Sequence, residues 1–407
     1  MKQTLWTKNF TLVTAATALG TVGSIAGGFA LSFLVFDETG STLAAALIIA
    51  IQLVPTFILP LFLAPWMDRL PRKPFLVGGD LINAVLYTLM GVYLMYFRFS
   101  YVGYLAYSLL LAALGTLDEL AYDSIYPKLI PTGMEQKGYA VSSMLYPVMR
   151  VLLMPVSAVL METLGVAWLL IAQGGCSLLA AIIESRIRIT EASRLDENGY
   201  SFRLWKEDIC EAARYLKQER GLRSIYSYMA FTNGVAGGYG PILVAFFRTA
   251  PGLTAAMYSL FSVAEFLGRA IGGAVQYRLK LAPRKKFAFA FFVYQFYETM
   301  DVCLLWLPYP LMLATRAVAG FLGTNSATLR EAAVQRYIPE SLRARINAFE
   351  NMLIMAATSV LSLAVGALGE VMDYRLCLTV CGAASMLVCW ATIWRSRSAV
   401  RAIYEAE

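Results

Sequence analysis

The feature that most constrains this sequence is an internal repeat. Leu114-Gly115-Thr116 returns as Leu322-Gly323-Thr324, and Ile130-Pro131 returns as Ile338-Pro339, each 208 residues later. Further pairs at the same offset are Asp123 and Glu331, Ala140 and Ala348, Met144 and Met352, and Glu162 and Glu370. A repeat of this length is far above the roughly 20–50 residues of a solenoid unit. The sequence therefore predicts two related halves that arose by duplication of one half-protein.

Both halves are almost entirely apolar. Hydrophobic residues make up 58% of the chain and charged residues 15%, against roughly 45–50% and 25% in soluble domains. Apolar runs long enough to cross a bilayer, about 20 residues each, occur twelve times along the chain. Their limits are 10–36, 42–66, 75–96, 101–124, 139–164, 166–184, 222–246, 253–277, 287–307, 310–330, 345–369 and 375–394. The sequence therefore predicts an all-α polytopic membrane protein with twelve transmembrane helices in two pseudo-symmetric six-helix bundles.

The predicted domains are an N-terminal six-helix bundle over 1–184, a linker over 185–221, and a C-terminal six-helix bundle with a short tail over 222–407. The linker is the one long polar stretch of the sequence. Part of it has helical periodicity, with Phe202 and Trp205 on the apolar face. We interpret it as a cytoplasmic helix at the membrane interface, in preference to a regulatory or binding module.

The net charge of +7 follows from topology. With the N-terminus inside, cytoplasmic segments hold 28 of the 34 Lys and Arg residues, outer loops hold three and the helices hold three. This asymmetry obeys the positive-inside rule and predicts that both termini are cytoplasmic. Topology accounts for the basic charge, so no nucleic-acid partner is predicted.

The sequence contains no histidine. This excludes Ser-His-Asp catalysis, His-ligated metals and His proton relays, so any proton coupling must use carboxylates. Since a phosphate-binding glycine loop followed by Lys and Ser/Thr is also missing, a membrane-embedded enzyme or a non-transporting receptor has no support. We predict no enzymatic activity, no metal and no cofactor.

A charged motif lies between the second and third spans, and it reads Ala64-Pro65-Trp66-Met67-Asp68-Arg69-Leu70-Pro71-Arg72-Lys73. It resembles the loop signature of the major facilitator superfamily, G-x-L-x-D-R-x-G-R-K. Asp68, Arg69, Arg72 and Lys73 match this signature, while Ala64, Trp66 and Pro71 depart from it. The second half holds a shortened copy, Pro283-Arg284-Lys285-Lys286-Phe287.

A loop of this kind can act as a charge clasp, in which basic residues pair with acids at the ends of neighbouring helices and hold one conformer. The predicted clasp consists of Asp68, Arg69, Arg72, Lys73, Asp80, Asp123 and Glu331. The alternative is that these basic residues only set the topology.

Within the superfamily, the sequence is similar to the bacterial drug-exporter branch of macrolide-efflux and enterobactin-export proteins. The similarity lies in Gly79-Asp80-Leu81, Ile130-Pro131, Pro339-Glu340 and Lys217-Gln218-Glu219-Arg220-Gly221-Leu222. It implies alternating access and a cavity faced by spans one, two, four, five, seven, eight, ten and eleven. It also implies a monomer of the bacterial plasma membrane that exports an amphiphilic organic compound, a drug or a siderophore, using the proton gradient. An importer of a small polar solute and a lipid flippase are the alternatives on the same fold.

Ionisable side chains inside the predicted spans are the first candidates for a site, because a charge at that depth is costly unless it is paired or wetted. Asp118 and Glu119 lie about 10 Å from the cytoplasmic end of the fourth span at the helical rise per residue. Arg150 lies near the middle of the fifth span, within reach of Asp118. We predict that these three residues contact substrate or couple protons; a structural ion pair is the alternative.

The second half offers further candidates. Glu265 and Arg269, one turn apart on the eighth span, are predicted to pair with each other, and a role in the cavity is the alternative. Asp301 and Arg316 lie at similar depths and are predicted to form a structural pair. Glu298 has no assigned partner. Uncharged polar candidates for the cavity are Gln52, Asn233 and Asn325.

Overall fold

The structure is a computed structural model that describes residues 4–67, 71–131, 134–189, 202–278, 282–339 and 342–405. Six long helices come first: α1 (Lys8–Thr39), α2 (Thr42–Met67), α3 (Lys73–Tyr96), α4 (Tyr101–Leu129), α5 (Glu135–Leu164) and α6 (Val166–Ser185). A shorter helix, α7, spans Phe202–Gln218. Six more long helices follow: α8 (Arg220–Thr249), α9 (Ala255–Arg278), α10 (Pro283–Cys303), α11 (Tyr309–Tyr337), α12 (Arg343–Val371) and α13 (Tyr374–Cys389). The last helix, α14, spans Arg397–Glu405.

The twelve long helices confirm the predicted all-α fold, and the described residues contain no strand. Nine of the described helices are long and apolar enough to cross a membrane. The other three long helices are α9, α10 and α11, which carry the intramembrane charges of the second half. A 3₁₀ turn, Leu304–Trp306, extends α10, and a π-helical segment, Trp390–Trp394, extends α13.

Local sequence signals set several helix ends. The Thr7 side chain accepts a hydrogen bond from the Phe10 amide and caps the start of α1. Gly40 ends this helix in the left-handed conformation, with φ of 64°, and its N–H donates to the Phe36 carbonyl. Such a cap suits glycine because no Cβ is present to clash. Ser100 caps the start of α4 in the same way as Thr7, by accepting from the Gly103 amide.

The chain forms two compact units. Unit 1 comprises Met1–Gly40 and Ile51–Phe202. Its core forms where α6 packs against α1 and α3. Glycines permit the close approach: a Cβ on Gly91 of α3 would stand 2.7 Å from the Ala167 carbonyl oxygen, below any normal contact. The Gln173 side chain of α6 lies against Gly23 and Gly27 of α1, so these small residues let the two helices approach closely.

Unit 2 comprises Ser41–Ala50 and Arg203–Glu407. In this unit α8 packs against α12, and α9 packs against α11. The start of α2, as far as Ala50, belongs to this unit. The Glu370 carboxylate of α12 holds its first turn, accepting hydrogen bonds from the Leu43 amide at 3.0 Å and the Ser41 hydroxyl at 2.8 Å. The division at Phe202 and Arg203 falls inside the predicted linker.

Two short helices complete unit 2. The predicted amphipathic helix of the linker is α7, whose Leu216 is buried in a cluster with Leu222 and Ile403. An ion pair between Glu211 and Arg345 joins α7 to α12. Helix α14 is absent from the prediction, which placed only a short tail there.

Helix α14 is part of the core. Val400, Ile403 and Tyr404 are each no more than 1% exposed. The Tyr404 hydroxyl lies 2.6 Å from the hydroxyl of Tyr294 on α10, and both groups are buried. Helix α14 therefore covers part of the core of unit 2 and keeps Arg397 and Arg401 exposed.

Candidate functional site

A cavity of about 370 Å³ lies inside unit 1, between α1, α3, α4 and α6. Four carboxylates line it: Asp80 of α3, Asp118 and Glu119 of α4, and Glu184 of α6. Its wall also includes Gln173 of α6, one turn below Ser177. The cavity is therefore a strongly acidic space within a bundle of apolar helices.

The four acids reach this space from three helices. Asp118 stands over Gly79 of α3, where a Cβ would lie 3.7 Å from the Asp118 Oδ1. Glu184 interacts electrostatically with both Asp80 and Asp118, and Asp118 interacts with Glu119. Neighbouring negative charges repel one another, so this arrangement favours binding a cation or holding a proton.

Arg150 is not among the described residues that line this cavity. Its side chain is exposed, and its Nε donates to the Met154 sulfur at 3.5 Å on the same helix. No ion pair between Arg150 and Asp118 is present within the described part of the chain. The predicted Asp118–Arg150 pair is therefore not formed, because α5 supplies none of the described cavity wall.

The predicted charge clasp is described only in part. Asp68 and Arg69 lie outside the described residues. Lys73 Nζ donates to the Ser185 carbonyl at 2.7 Å, which joins the start of α3 to the end of α6. Arg72 directly precedes α3 as its N-cap residue.

The acids assigned to the clasp lie in different places. Asp80 lines the acidic cavity, together with Asp118. Asp123 is exposed one turn beyond Glu119 on α4. Glu331 accepts from Gln335 Nε2 at 2.8 Å on α11. The clasp itself stays a prediction.

Unit 2 contains a second cavity, of about 270 Å³, between α8, α9, α10 and α11. The 208-residue repeat relates the two cavities: Ser24 corresponds to Thr232, and Gly115 to Gly323. The acidic pair Asp118 and Glu119 corresponds to Ser326 and Ala327, which line the second cavity. The duplicated halves therefore share matching cavity walls on α1 and α8 and on α4 and α11, but the two cavities differ in charge.

The three candidate carboxylates of α9 and α10 have partners. Asp301 lies 3.7 Å from Arg316, and both side chains are largely buried, which confirms the predicted pair. Glu265 accepts from Arg269 Nη2 at 2.6 Å, so the predicted intrahelical pair is also formed. Glu298, which had no assigned partner, accepts from the Tyr228 hydroxyl at 3.2 Å.

The uncharged candidates lie apart from the acidic cavity. Asn233 lines the second cavity and donates to the Met229 carbonyl at 2.8 Å on its own helix. Asn325 donates to the Phe321 carbonyl at 2.8 Å and to the Gly272 carbonyl at 3.3 Å, so it joins α11 to α9. Gln52 lies on α2 and is not among the described residues of either cavity wall.

Sequence reasoning missed Glu184 and Gln173. Their signal is the polar series Gln173, Ser177 and Glu184 on α6, which falls on one helix face at spacings of four and seven. Glu184 is the last residue of the predicted sixth span, where a charged residue is expected to meet water, so its position in the sequence does not indicate burial.

Two six-helix bundles related by an internal repeat, with a polar cavity in each, define a transporter of the major facilitator superfamily. The family profile of transmembrane secretion effectors matches residues 3–406, and the chain belongs to this family of major facilitator transporters. A search of curated protein sequences finds no match.

Solved transporter structures share the fold. A bacterial homologue of the human lysosomal transporter Spinster matches with a TM-score of 0.65 and 14% identity, covering 97% of this chain and 95% of that chain. A mutant of the nucleoside transporter NupG matches with a TM-score of 0.71 and 10% identity, covering 95% and 99%. A mutant of the peptide transporter POT matches with a TM-score of 0.71 and 11% identity, covering 97% and 95%. At these identities the likeness shows the fold alone.

Proposed function

We propose that this transporter exports amphiphilic organic compounds from the bacterial cytoplasm in exchange for protons. It acts in the plasma membrane by alternating access, with both termini cytoplasmic. The observation that supports this most is the acidic cavity of unit 1. Ser326 and Ala327 replace Asp118 and Glu119 in the other half, so the fold does not need these acids. Ionisable groups that the fold does not need, at membrane depth, mark substrate or proton pathways.

Protons would act on this cavity through charge repulsion. With Asp118 and Glu119 ionised, the cavity wall holds adjacent negative charges, which favours either opening to water or binding a cation. Protonation removes this repulsion and allows the cavity to close. The two protonation states therefore favour different conformers, which is what coupling of transport to a proton gradient requires. This mechanism uses repulsion among carboxylates instead of the Asp118–Arg150 pair.

Accumulation of fluorescent dyes and macrolides in a bacterial host that lacks its own exporters tests the proposal. Cells that express the protein should accumulate less compound, and a protonophore should abolish the difference. Asp118→Asn and Glu119→Gln should remove gradient-driven transport without lowering the amount of protein in the membrane. Glu162→Gln provides a matched control, because Glu162 is an exposed carboxylate near the end of α5.

Normal transport by both cavity variants would refute the role of these residues. Higher accumulation in expressing cells, reversed by the protonophore, would instead establish an importer. Unchanged accumulation of every compound, with the protein present in the membrane, would favour a narrow substrate range or lipid transport.

A further inference from the structure

The charge balance of the unit 1 cavity restricts what it can bind. Asp80, Asp118, Glu119 and Glu184 line it, and the described part of its wall contains no Lys or Arg. Within the described ranges none of these four acids takes part in an ion pair. The second cavity, by contrast, is lined by both Arg269 and Arg330. A charged ligand of the unit 1 cavity must therefore be a cation.

A second observation concerns hydrogen bonding. Gln173 and Glu184 are 4% and 6% exposed, and both line the cavity. Gln173 Oε1 and Glu184 Oε2 are buried and have no hydrogen-bond partner among the residues that the structure describes. Buried polar atoms without partners are rare in folded proteins, so each needs an explanation. Gln173 Oε1 lies against Gly27 of α1, which is not among the described residues of the cavity wall, so helix packing accounts for its position. Glu184 Oε2 is an acceptor, so a ligand that satisfies it must donate a hydrogen bond.

The remaining wall suits an organic molecule. Leu76 and Leu111 supply apolar surface, and Tyr87 and Tyr122 supply aromatic rings. The cavity volume of about 370 Å³ lies in the lower range of small-molecule sites. The described acidic and cysteine side chains form no cluster able to hold a metal ion. Size, apolar surface and the need for donors thus favour an organic cation over an inorganic one.

We propose that the unit 1 cavity binds the protonated amino or guanidino group of an organic substrate. Asp118 and Glu184 balance its charge, and Glu184 Oε2 accepts one of its N–H groups. This inference rests on the proposed function and narrows it, because it selects cationic amphiphiles and disfavours anionic siderophores, which four carboxylates would repel.

Equilibrium binding to the purified, detergent-solubilised protein tests this inference without a gradient or a transport direction. The probe is phenethylamine, and its matched controls are 2-phenylethanol, which is neutral, and phenylacetate, which is anionic. Phenethylamine should bind, and the alcohol and the anion should bind at least tenfold more weakly. Phenethyltrimethylammonium keeps the charge but has no N–H, so it should bind more weakly than phenethylamine.

Substitutions then locate the site. Asp118→Asn and Glu184→Gln should each lower the affinity for phenethylamine at least tenfold. Glu162→Gln should leave it unchanged. Size-exclusion chromatography identifies any variant that fails to fold, and the comparison of the four probes on the unaltered protein tests the inference without any variant.

Equal binding of the alcohol and the amine would overturn the inference, as would unchanged affinity in folded Asp118→Asn and Glu184→Gln. Failure here can be told from failure of the proposed function. A protein that binds phenethylamine but shows no protonophore-sensitive export refutes the export proposal alone. One that exports neutral compounds but does not distinguish the probes refutes the cation site alone.

Discussion

The contact between α9 and α11 in unit 2 depends on glycine, and Gly268→Ala tests how tightly these helices pack. A Cβ at Gly268 would stand 2.7 Å from the Ala317 carbonyl carbon and closer still to its oxygen. The obstacle is backbone, so no side-chain rotation can relieve it. To reach an ordinary contact of 3.4 Å, the distance to the carbonyl carbon must grow by about 0.7 Å, which separates the two helices. Overpacking of this kind typically costs about 1–3 kcal/mol.

Gly273 provides the matched control on the same helix, since a Cβ there would meet none of the described residues within 4 Å. Gly273→Ala should be neutral or stabilising by up to about 1 kcal/mol, the difference in helix propensity between the two residues. Gly268→Ala gains the same propensity but also separates the helices, so it should destabilise unit 2. For a unit of this size, each kcal/mol shifts the Tm by about 2–4 °C.

Thermal unfolding of the purified protein in detergent, followed by tryptophan fluorescence, measures both effects. We expect Gly268→Ala to unfold about 2–12 °C below Gly273→Ala, because both variants gain helix propensity and only Gly268→Ala bears the packing cost of about 1–3 kcal/mol. Gly273→Ala should not lower the Tm of the unaltered protein. Equal Tm values for the two variants would refute the argument, because they would show that the α9–α11 contact adapts to a methyl group at no cost.

Two further predictions concern buried and capping carboxylates. Arg316→Met leaves the buried Asp301 without its partner and should lower the free energy of unfolding by about 3–5 kcal/mol. Adding Asp301→Asn should recover most of the lost Tm. A double variant no more stable than Arg316→Met would contradict the pairing. Glu370→Ala removes the acceptor for the first turn of α2 and should cost about 0.5–2 kcal/mol in thermal unfolding. Glu162, the repeat counterpart of Glu370, provides the control, and Glu162→Ala should have little effect on stability. An equal loss of stability in the two variants would show that the cap formed by Glu370 contributes nothing.

The sequence predicts the twelve spans well because an apolar run of about 20 residues has one stable form in a bilayer, a helix. Prediction fails where a helix continues beyond its apolar run. Helix α4 ends at Leu129 and α11 at Tyr337, several residues past the predicted limits of 124 and 330. In these extra turns tertiary packing holds the helix, and hydropathy carries no signal for it. Helix α14 was missed for the same reason, since three buried residues among arginines resemble a solvated tail.

The sequence predicted two acids of the candidate site but not how the neighbouring helices are turned toward them. Asp118 and Glu119 were singled out as charges within a predicted span, and both line a cavity. The rise per residue says nothing about how neighbouring helices are turned, so the reach of Arg150 toward Asp118 was wrong. Glu184 and Gln173 line the cavity because α6 packs against both α1 and α3, an arrangement that the sequence does not indicate.

Helix α14 also fixes the order in which unit 2 can be completed during synthesis. Ribosomes make it after all twelve spans, yet it covers buried residues that come much earlier in the chain, including Leu222 and Phe287. Membrane insertion of the second bundle therefore precedes its final packing, while the first bundle is already free to fold. A chain arrested before Arg397 would be inserted in the membrane but would lack α14. The apolar residues that α14 covers would then be exposed, and cellular proteases act on incompletely folded chains of this kind.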